Sequence, residues 1–316
     1  MNDNVIGRLI GSSFDYELGE KKKDLSVKIV FPTYCQANCP FCFNQLTKDT
    51  QIYISGKFLG NLDNTLSMII DNISERKISL DVTGSEPTFN IFLFKKVMDH
   101  IRKYKDKVSK VVVSTNGFRL ADCIEFMDEA VDIVNINVNH YDYNKRKKIF
   151  GTTSIPSDSE IKEIIDKLKE KNISATAVSV LYQEIDDFKE FYNTFITWAK
   201  EMGFKDVRFR SNYLNNDKFI DDIVDLKFSN DKIDRTDYLT TKTIKDETDF
   251  ETTILKGVPD LTEYVIGTEL VIDDDGICYI DYNKRYKVDA DSINYFNNCY
   301  VIDKKKTTLT KKRSLK

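Results

Sequence analysis

Three of the six cysteines crowd into the eight residues Cys35-Gln36-Ala37-Asn38-Cys39-Pro40-Phe41-Cys42, while Cys123, Cys278 and Cys299 stand alone. A chain of 316 residues can bury a full core without disulfides, and its start, Met1-Asn2-Asp3-Asn4, lacks the basic and apolar regions of a signal peptide. The sequence therefore predicts a cytoplasmic protein whose thiols serve as ligands, nucleophiles or small buried apolar groups. Structural zinc takes four protein ligands, and no fourth Cys or His lies near the triplet; the two histidines are His100 and His140. Three thiolates suit a 4Fe-4S cluster with one iron left open to a chelating ligand, with a structural metal knot as the rival reading.

The elements that must carry this loop follow from the hydrophobic period. Strand-like runs cover 27–33, 78–83, 110–114, 131–139, 173–181 and 206–210, and amphipathic helical stripes alternate with them. Leu62, Leu66, Ile69 and Ile73 make one such stripe, and Leu120, Cys123, Met127 and Ala130 another, which makes Cys123 a core thiol. That alternation argues a parallel sheet with right-handed crossovers. In the run from Val134 to Asn139 every second residue is Asn; Ser79, Asp81 and Thr83 repeat the pattern on an earlier strand, and Arg208 and Arg210 on the last. Helices on both faces would bury those amides without partners, whereas a barrel lumen holding a polar ligand would satisfy them. The expected fold class is therefore α/β, a partial TIM-like barrel with its site at the C-terminal strand ends.

Residues 1–24 read as an N-terminal extension, 25–215 as the barrel, 216–303 as a C-terminal helical and β-hairpin cap, and 304–316 as a basic, frayed tail. Residues 215–256, rich in Asp, Lys and Thr, read as two short helices and loops. Beyond them, runs at 268–272 and 277–282 flank Asp273-Asp274-Asp275-Gly276, a hairpin with an Asp-Gly turn; the later ligands of a calcium loop are missing. A net charge of -4 excludes capture of nucleic acid by bulk charge, and no apolar run approaches the roughly 18 residues of a membrane span. The sequence thus predicts neither nucleic acid nor membrane as partner.

The cysteine spacing after the first strand, with aromatic Phe41 before the third cysteine, resembles the radical S-adenosylmethionine (SAM) superfamily, in particular its molybdenum-cofactor cyclase-like branch. Thr83-Gly84-Ser85-Glu86-Pro87 is similar to that family's Gly-Gly-Glu-Pro motif, with Ser85 in place of the second Gly. Ser114-Thr115-Asn116-Gly117 ends the third strand as in its members, and Asn137 stands where many carry a Ser that touches SAM. The resemblance spans roughly residues 25–215 and implies a (β/α)6 partial barrel.

It further implies that Cys35, Cys39 and Cys42 hold the cluster and that SAM is split to a 5′-deoxyadenosyl radical, which abstracts a substrate hydrogen. Gly84, Ser85 and Glu86 would meet the ammonium of SAM through carbonyls and carboxylate, Ser114, Asn116 and Asn137 its carboxylate or ribose, and Phe41 its adenine. An electron donor such as a flavodoxin or ferredoxin is implied as partner. Cys278 and Cys299 are too few for an auxiliary-cluster domain, so a single cluster is expected. Arg208 and Arg210 could grip a carboxylate or phosphate of SAM or substrate, or pair structurally with Asp81 or another acid. His140 reads as a surface histidine near the substrate, and Tyr213 as a candidate for the adenine or substrate pocket. The expected substrate is a small polar metabolite, sugar or nucleotide, an anionic one being favoured by the two arginines. Only about 25 residues precede the first strand, which argues against a module for a precursor peptide. The same chemistry on a peptide or protein, and a non-enzymatic Fe-S or zinc module, are the alternatives.

Overall fold

The computed structural model describes residues 14–15, 18–21, 24–42, 56–181, 187–211, 232–235, 239–257, 263–266, 269–280, 287–297, 299–303 and 308–309. Strand and helix alternate as β1 (Leu25–Phe31), α1 (Gly56–Asn72), β2 (Ile78–Gly84), α2 (Ile91–Arg102), β3 (Lys110–Thr115), α3 (Leu120–Cys123), β4 (Ile133–Asn137), α4 (Tyr143–Phe150), α5 (Asp158–Glu170), β5 (Ser174–Leu181), α6 (Phe188–Met202) and β6 (Asp206–Ser211). Each strand from β1 to β6 pairs in parallel with the next. Burial alternates along them: Leu25, Val27, Ile29 and Phe31 are buried against the helices, whereas Ser26, Lys28 and Val30 are half-buried on the other face. Period-3.6 stripes on the helices complete the core, for example Leu93, Phe94, Val97, Met98 and Ile101 on α2. Ser157 and Glu160 close a capping box at the start of α5.

Within the barrel, two expectations change. The run read as a strand over 131–139 is regular only over Ile133–Asn137; Asn139 turns to φ +59°, and its Oδ1 accepts from Val180 N at 2.9 Å, stapling β4 to β5. Asn139 therefore leaves the concave face that Asn135 and Asn137 share. The stripe from Leu120 to Ala130 is broken into the four residues of α3 and a 3-10 turn, Ile124–Phe126, although its apolar residues are buried as expected.

Of the segment expected to hold two helices, 215–231 and 236–238 lie outside the described residues, and the described part contributes strands: β7 (Lys232–Arg235), β8 (Leu239–Lys245) and β9 (Glu251–Gly257). β9 pairs in parallel with β6 and antiparallel with β8, which pairs antiparallel with β7. At the other edge, β10 (Glu269–Ile272) pairs in parallel with β1 and antiparallel with β11 (Cys278–Tyr279). The sheet thus has eleven strands in the order β11-β10-β1-β2-β3-β4-β5-β6-β9-β8-β7. The tail expected to fray includes Thr308–Leu309, which pairs with Phe14–Asp15; Leu18–Lys21 and Glu263–Ile266 flank Cys299–Asp303 in a separate small sheet. Among the described residues no helix is long and apolar enough to cross a membrane.

The Asp-Gly turn between β10 and β11 docks on α1. Asn61 Nδ2 donates to Asp275 O and Thr65 Oγ1 to Gly276 O, both at 2.8 Å, and Tyr279 Oη donates to Asp275 Oδ2 at 2.9 Å. Gly276 has φ +77°, and a Cβ there would sit 2.5 Å from Phe58 O. Left-handed strain and this clash act together, so Gly276→Ala should lower stability in urea by at least ~1–3 kcal/mol; an unchanged midpoint would show that the turn does not dock on α1.

Candidate functional site

The four motifs lie at or just beyond the C-terminal ends of β1, β2, β3 and β4, which are consecutive neighbours in the sheet, so parallel pairing alone brings them to one mouth. Cys35, Cys39 and Cys42 are all partly exposed there. Cys42 N donates to Cys39 O at 3.1 Å, and Asn38 N donates to Phe150 O at 2.7 Å, tying the cysteine loop to the end of α4. Burial pushes the Cys35 thiol up to about 11 and the Cys39 thiol up to about 12. Cys35 is raised further by the charges of Glu86 and Cys42, and Cys39 by those of Cys42, Cys35 and Glu86, so the three sulfurs lie within electrostatic reach of one another. A bound cationic centre reverses that repulsion, since ligation removes the thiol protons. Among the described residues no three His, Cys, Asp or Glu side chains are gathered around a single-ion position.

One sulfur has a fixed donor. Asn116 Oδ1 accepts from Gln36 Nε2 and from Phe118 N, both at 3.0 Å, which sets the orientation of the amide and turns Nδ2 to Cys35 Sγ at 3.5 Å. Gln36 Nε2 also reaches Ser154 O at 3.3 Å, so the loop is tethered on two sides.

Glu86 lies behind this layer. Its side chain is only 1% exposed, and its Oε1 accepts from Thr115 Oγ1 (2.5 Å), Thr88 Oγ1 (2.6 Å) and Thr88 N (3.2 Å), while Oε2 accepts from Asn116 N (2.8 Å). Its main-chain oxygen accepts from Thr33 Oγ1 at 2.8 Å. Burial holds the carboxyl above the usual carboxylate range against the pull of those four donors. The carboxylate that sequence pattern assigns to a ligand's ammonium is thus turned inward and joins the loops after β1, β2 and β3. Gly84, at φ +117°, makes the close approach possible: a Cβ would lie 2.6 Å from Phe31 N.

The concave face below the mouth is polar, as the alternation predicts. Lys28 Nζ pairs with Asp81 Oδ2 and Glu269 Oε2, both at 3.3 Å; Ser114 Oγ donates to Asp81 Oδ1 at 3.2 Å, and Asn135 Nδ2 donates to Ser114 Oγ at 3.2 Å. Asn137 Nδ2 donates to Thr115 O at 3.2 Å, holding its amide at the mouth. Phe41 and Ser85 are half-buried in their loops. Arg208 and Arg210 face the concave side of β6, and neither pairs with Asp81.

His140 departs from the surface reading. It is 4% exposed, its ring lies 5.2 Å from Phe191 of α6, and its Nδ1 accepts from Asp142 N at 2.9 Å. Tyr213 lies outside the described residues. Cys123 and Cys278 are buried, each thiol pushed up to about 12 chiefly by burial. The residues that sequence reading passed over are Thr33, Gln36, Thr88 and Thr115. Glu86 caps the 3-10 turn Pro87–Phe89 with Pro at its first position, and Glu-Pro-Thr carries that capping signal in sequence. A cleft of about 450 Å³ opens outside the mouth, between Gly117–Ala121 and Thr153–Pro156.

A family model described as the Radical SAM superfamily matches residues 29–227, more than half of the chain. No curated protein matches the chain significantly. Among solved structures, SuiB of Streptococcus suis is similar with a TM-score of 0.53 at 12% identity, over 82% of this chain and 60% of that one. The anSMEcpe structure with bound AdoMet gives 0.46 at 19% identity, over 60% and 51%. Methylornithine synthase (PylB) gives 0.42 at 13%, over 60% and 54%. The first likeness is one of fold and agrees with the mostly parallel partial barrel. The chain spans between 40% and 60% of the length of the SuiB structures it matches.

The inward carboxylate makes a direct prediction. Glu86→Gln replaces an acceptor by an NH2 group among four donors, so urea unfolding should show a loss of roughly 1–3 kcal/mol. A wild-type midpoint for this variant would mean that the clasp does not form.

Proposed function

Because this chain belongs to the radical SAM superfamily, we propose that its barrel cleaves SAM reductively, with Cys35, Cys39 and Cys42 holding one 4Fe-4S cluster by three irons and leaving the fourth for SAM. The observation that carries this is the donor set: three soft thiols on one partly exposed loop at the barrel mouth, with a fixed N–H from Asn116 aimed at one of them. Held by Cys35, Cys39 and Cys42, a reduced cluster would supply the one electron needed to cleave the sulfonium of SAM to methionine and a 5′-deoxyadenosyl radical able to take a hydrogen atom from the substrate.

The chain's own work is binding and orientation. Gly84 and Ser85 offer carbonyl oxygens at the mouth to the ammonium of SAM. Glu86 positions them from behind, since its carboxylate is spent on Thr88, Thr115 and Asn116. Asn137, held through its Nδ2, presents its remaining groups to the carboxylate or ribose, with Ser114 beneath it. Phe41 packs beside the adenine. Asn116 stabilises negative charge on Cys35 through its N–H, which favours the reduced cluster. The concave polar face suits a small polar metabolite, sugar or nucleotide, and a flavodoxin or ferredoxin would supply the electron. Oxygen-sensitive thiolate ligation suits the reducing cytoplasm.

Anaerobically reconstituted protein mixed with SAM and a strong reductant should release 5′-deoxyadenosine; brown protein that releases none would leave only a binding module. Cys39→Ala should lose both the cluster absorbance and the product. If the substrate is instead a peptide, a neighbouring short peptide product, and no sugar or nucleotide, should raise turnover above this uncoupled background. Asn116→Ala should keep the cluster but lower its midpoint potential by roughly 20–65 mV in an EPR redox titration, the one-electron equivalent of a hydrogen bond worth about 0.5–1.5 kcal/mol.

A further inference from the structure

Two guanidinium groups on the concave face of β6 touch no carboxylate among the described residues. Val207 and Phe209 are fully buried towards the helices, where Phe209 packs on Phe195 of α6 at a centroid distance of 5.3 Å. Alternation along the strand therefore sends Arg208 and Arg210 together into the lumen. Neither makes an ion pair or hydrogen bond with any described residue, and Arg210 Nε is buried with no partner. Lys28, on the same face, is by contrast neutralised by Asp81 and Glu269. Burial and then the like charge of Arg210 depress the pKa of Arg208, while Asp206, Asp81 and Glu251 act the other way without touching it.

The adjoining strands carry complementary openings. Asn135 and Thr176 are register partners across β4 and β5, and Asn135 Oδ1 and Thr176 Oγ1 are both buried without partners. The amide of Asn135 already donates to Ser114, so its free oxygen can only accept. Buried groups of this kind are normally paired, and an arginine pair in a lumen matches a planar carboxylate or a phosphate. Asn137, Val178 and Arg208 share one register row, which puts Arg208 two strand spacings, roughly 10 Å, from the mouth residue Asn137. The four motif loops belong to β1 through β4, so the arginine pair lies to one side of them.

We propose that Arg208 and Arg210 form an anion subsite for the substrate: a small hydroxylated molecule bearing a carboxylate or phosphate group, which the guanidinium pair holds, with a hydroxyl or amino donor directed at Asn135 Oδ1. This deepens the reading of the barrel as SAM-cleaving and rests on it for calling the ligand a substrate; the anion site itself does not.

The test is isothermal titration of the cluster-loaded protein with inorganic pyrophosphate and with malonate at constant ionic strength, with and without saturating SAM. One of the two should bind once per chain, and SAM should not displace it; which of them binds tells phosphate from carboxylate. Arg208→Gln and Arg210→Gln should each weaken binding at least tenfold, whereas Arg119→Gln, at an exposed arginine paired with Asp122, should leave it within twofold. Both Gln variants delete an unpaired charge, so their thermal midpoints should match or exceed that of the parent. If either fails to fold, Arg208→Lys and Arg210→Lys decide, since they keep the charge and lose the planar fork, and should bind several-fold more weakly. Absence of binding by both probes, or unchanged binding in the arginine variants, overturns the proposal. Displacement by SAM also overturns it and reassigns the pair to the SAM carboxylate. Probe binding without any 5′-deoxyadenosine would sink the catalytic reading and leave the anion site standing; 5′-deoxyadenosine without probe binding would do the reverse.

Discussion

A single buried carboxylate holds the mouth of this barrel together. Glu86 accepts from two threonine side chains and two main-chain amides, and its own carbonyl accepts from Thr33. Three loops that parallel strands merely bring near one another are thereby locked into register. A carboxylate suits this task because it only accepts and can take several charge-assisted hydrogen bonds at once. The loop that carries Asn116 is one of the three, so the donor facing Cys35 inherits its position from Glu86. Geometry at the sulfur ligands thus depends on a residue that does not touch them.

The concave face below is organised by charge. On the β1 side, Lys28, Asp81, Ser114 and Asn135 form a relay of ion pair and hydrogen bonds that leaves only the Asn135 amide oxygen open. On the β6 side, Arg208 and Arg210 touch no carboxylate among the described residues. A lumen whose lysine is ion-paired along one wall and whose arginines make no such pair along the other orients an entering ligand before any chemistry begins, with its anionic end towards the arginines.

Much of this was legible in the sequence. The strand-helix alternation and the cysteine loop are local patterns, and the concave polar face follows from period two alone. The inward turn of Glu86 was not legible, because its donors Thr88 and Thr115 are ordinary residues whose role depends on a contact between β2 and β3 loops. The run Leu239–Lys245, with three threonines among two lysines, reads as a polar loop, yet β-branched residues on a partly covered edge make a strand. His140 reads as exposed because a lone histidine near a strand end usually is; α6 brings Phe191 over it from 51 positions away. Each miss is a long-range packing event overriding a local signal.

The pairing of β10 with β1 has a consequence for how the chain is made. The strand that covers the open side of Leu25–Phe31, Glu269–Ile272, emerges from the ribosome some 240 residues after it. During that interval the first strand offers a bare row of amides and carbonyls to any neighbouring nascent chain. Covering of the first strand thus waits on one made far later, and a cell making this protein must shield that edge for as long as the wait lasts.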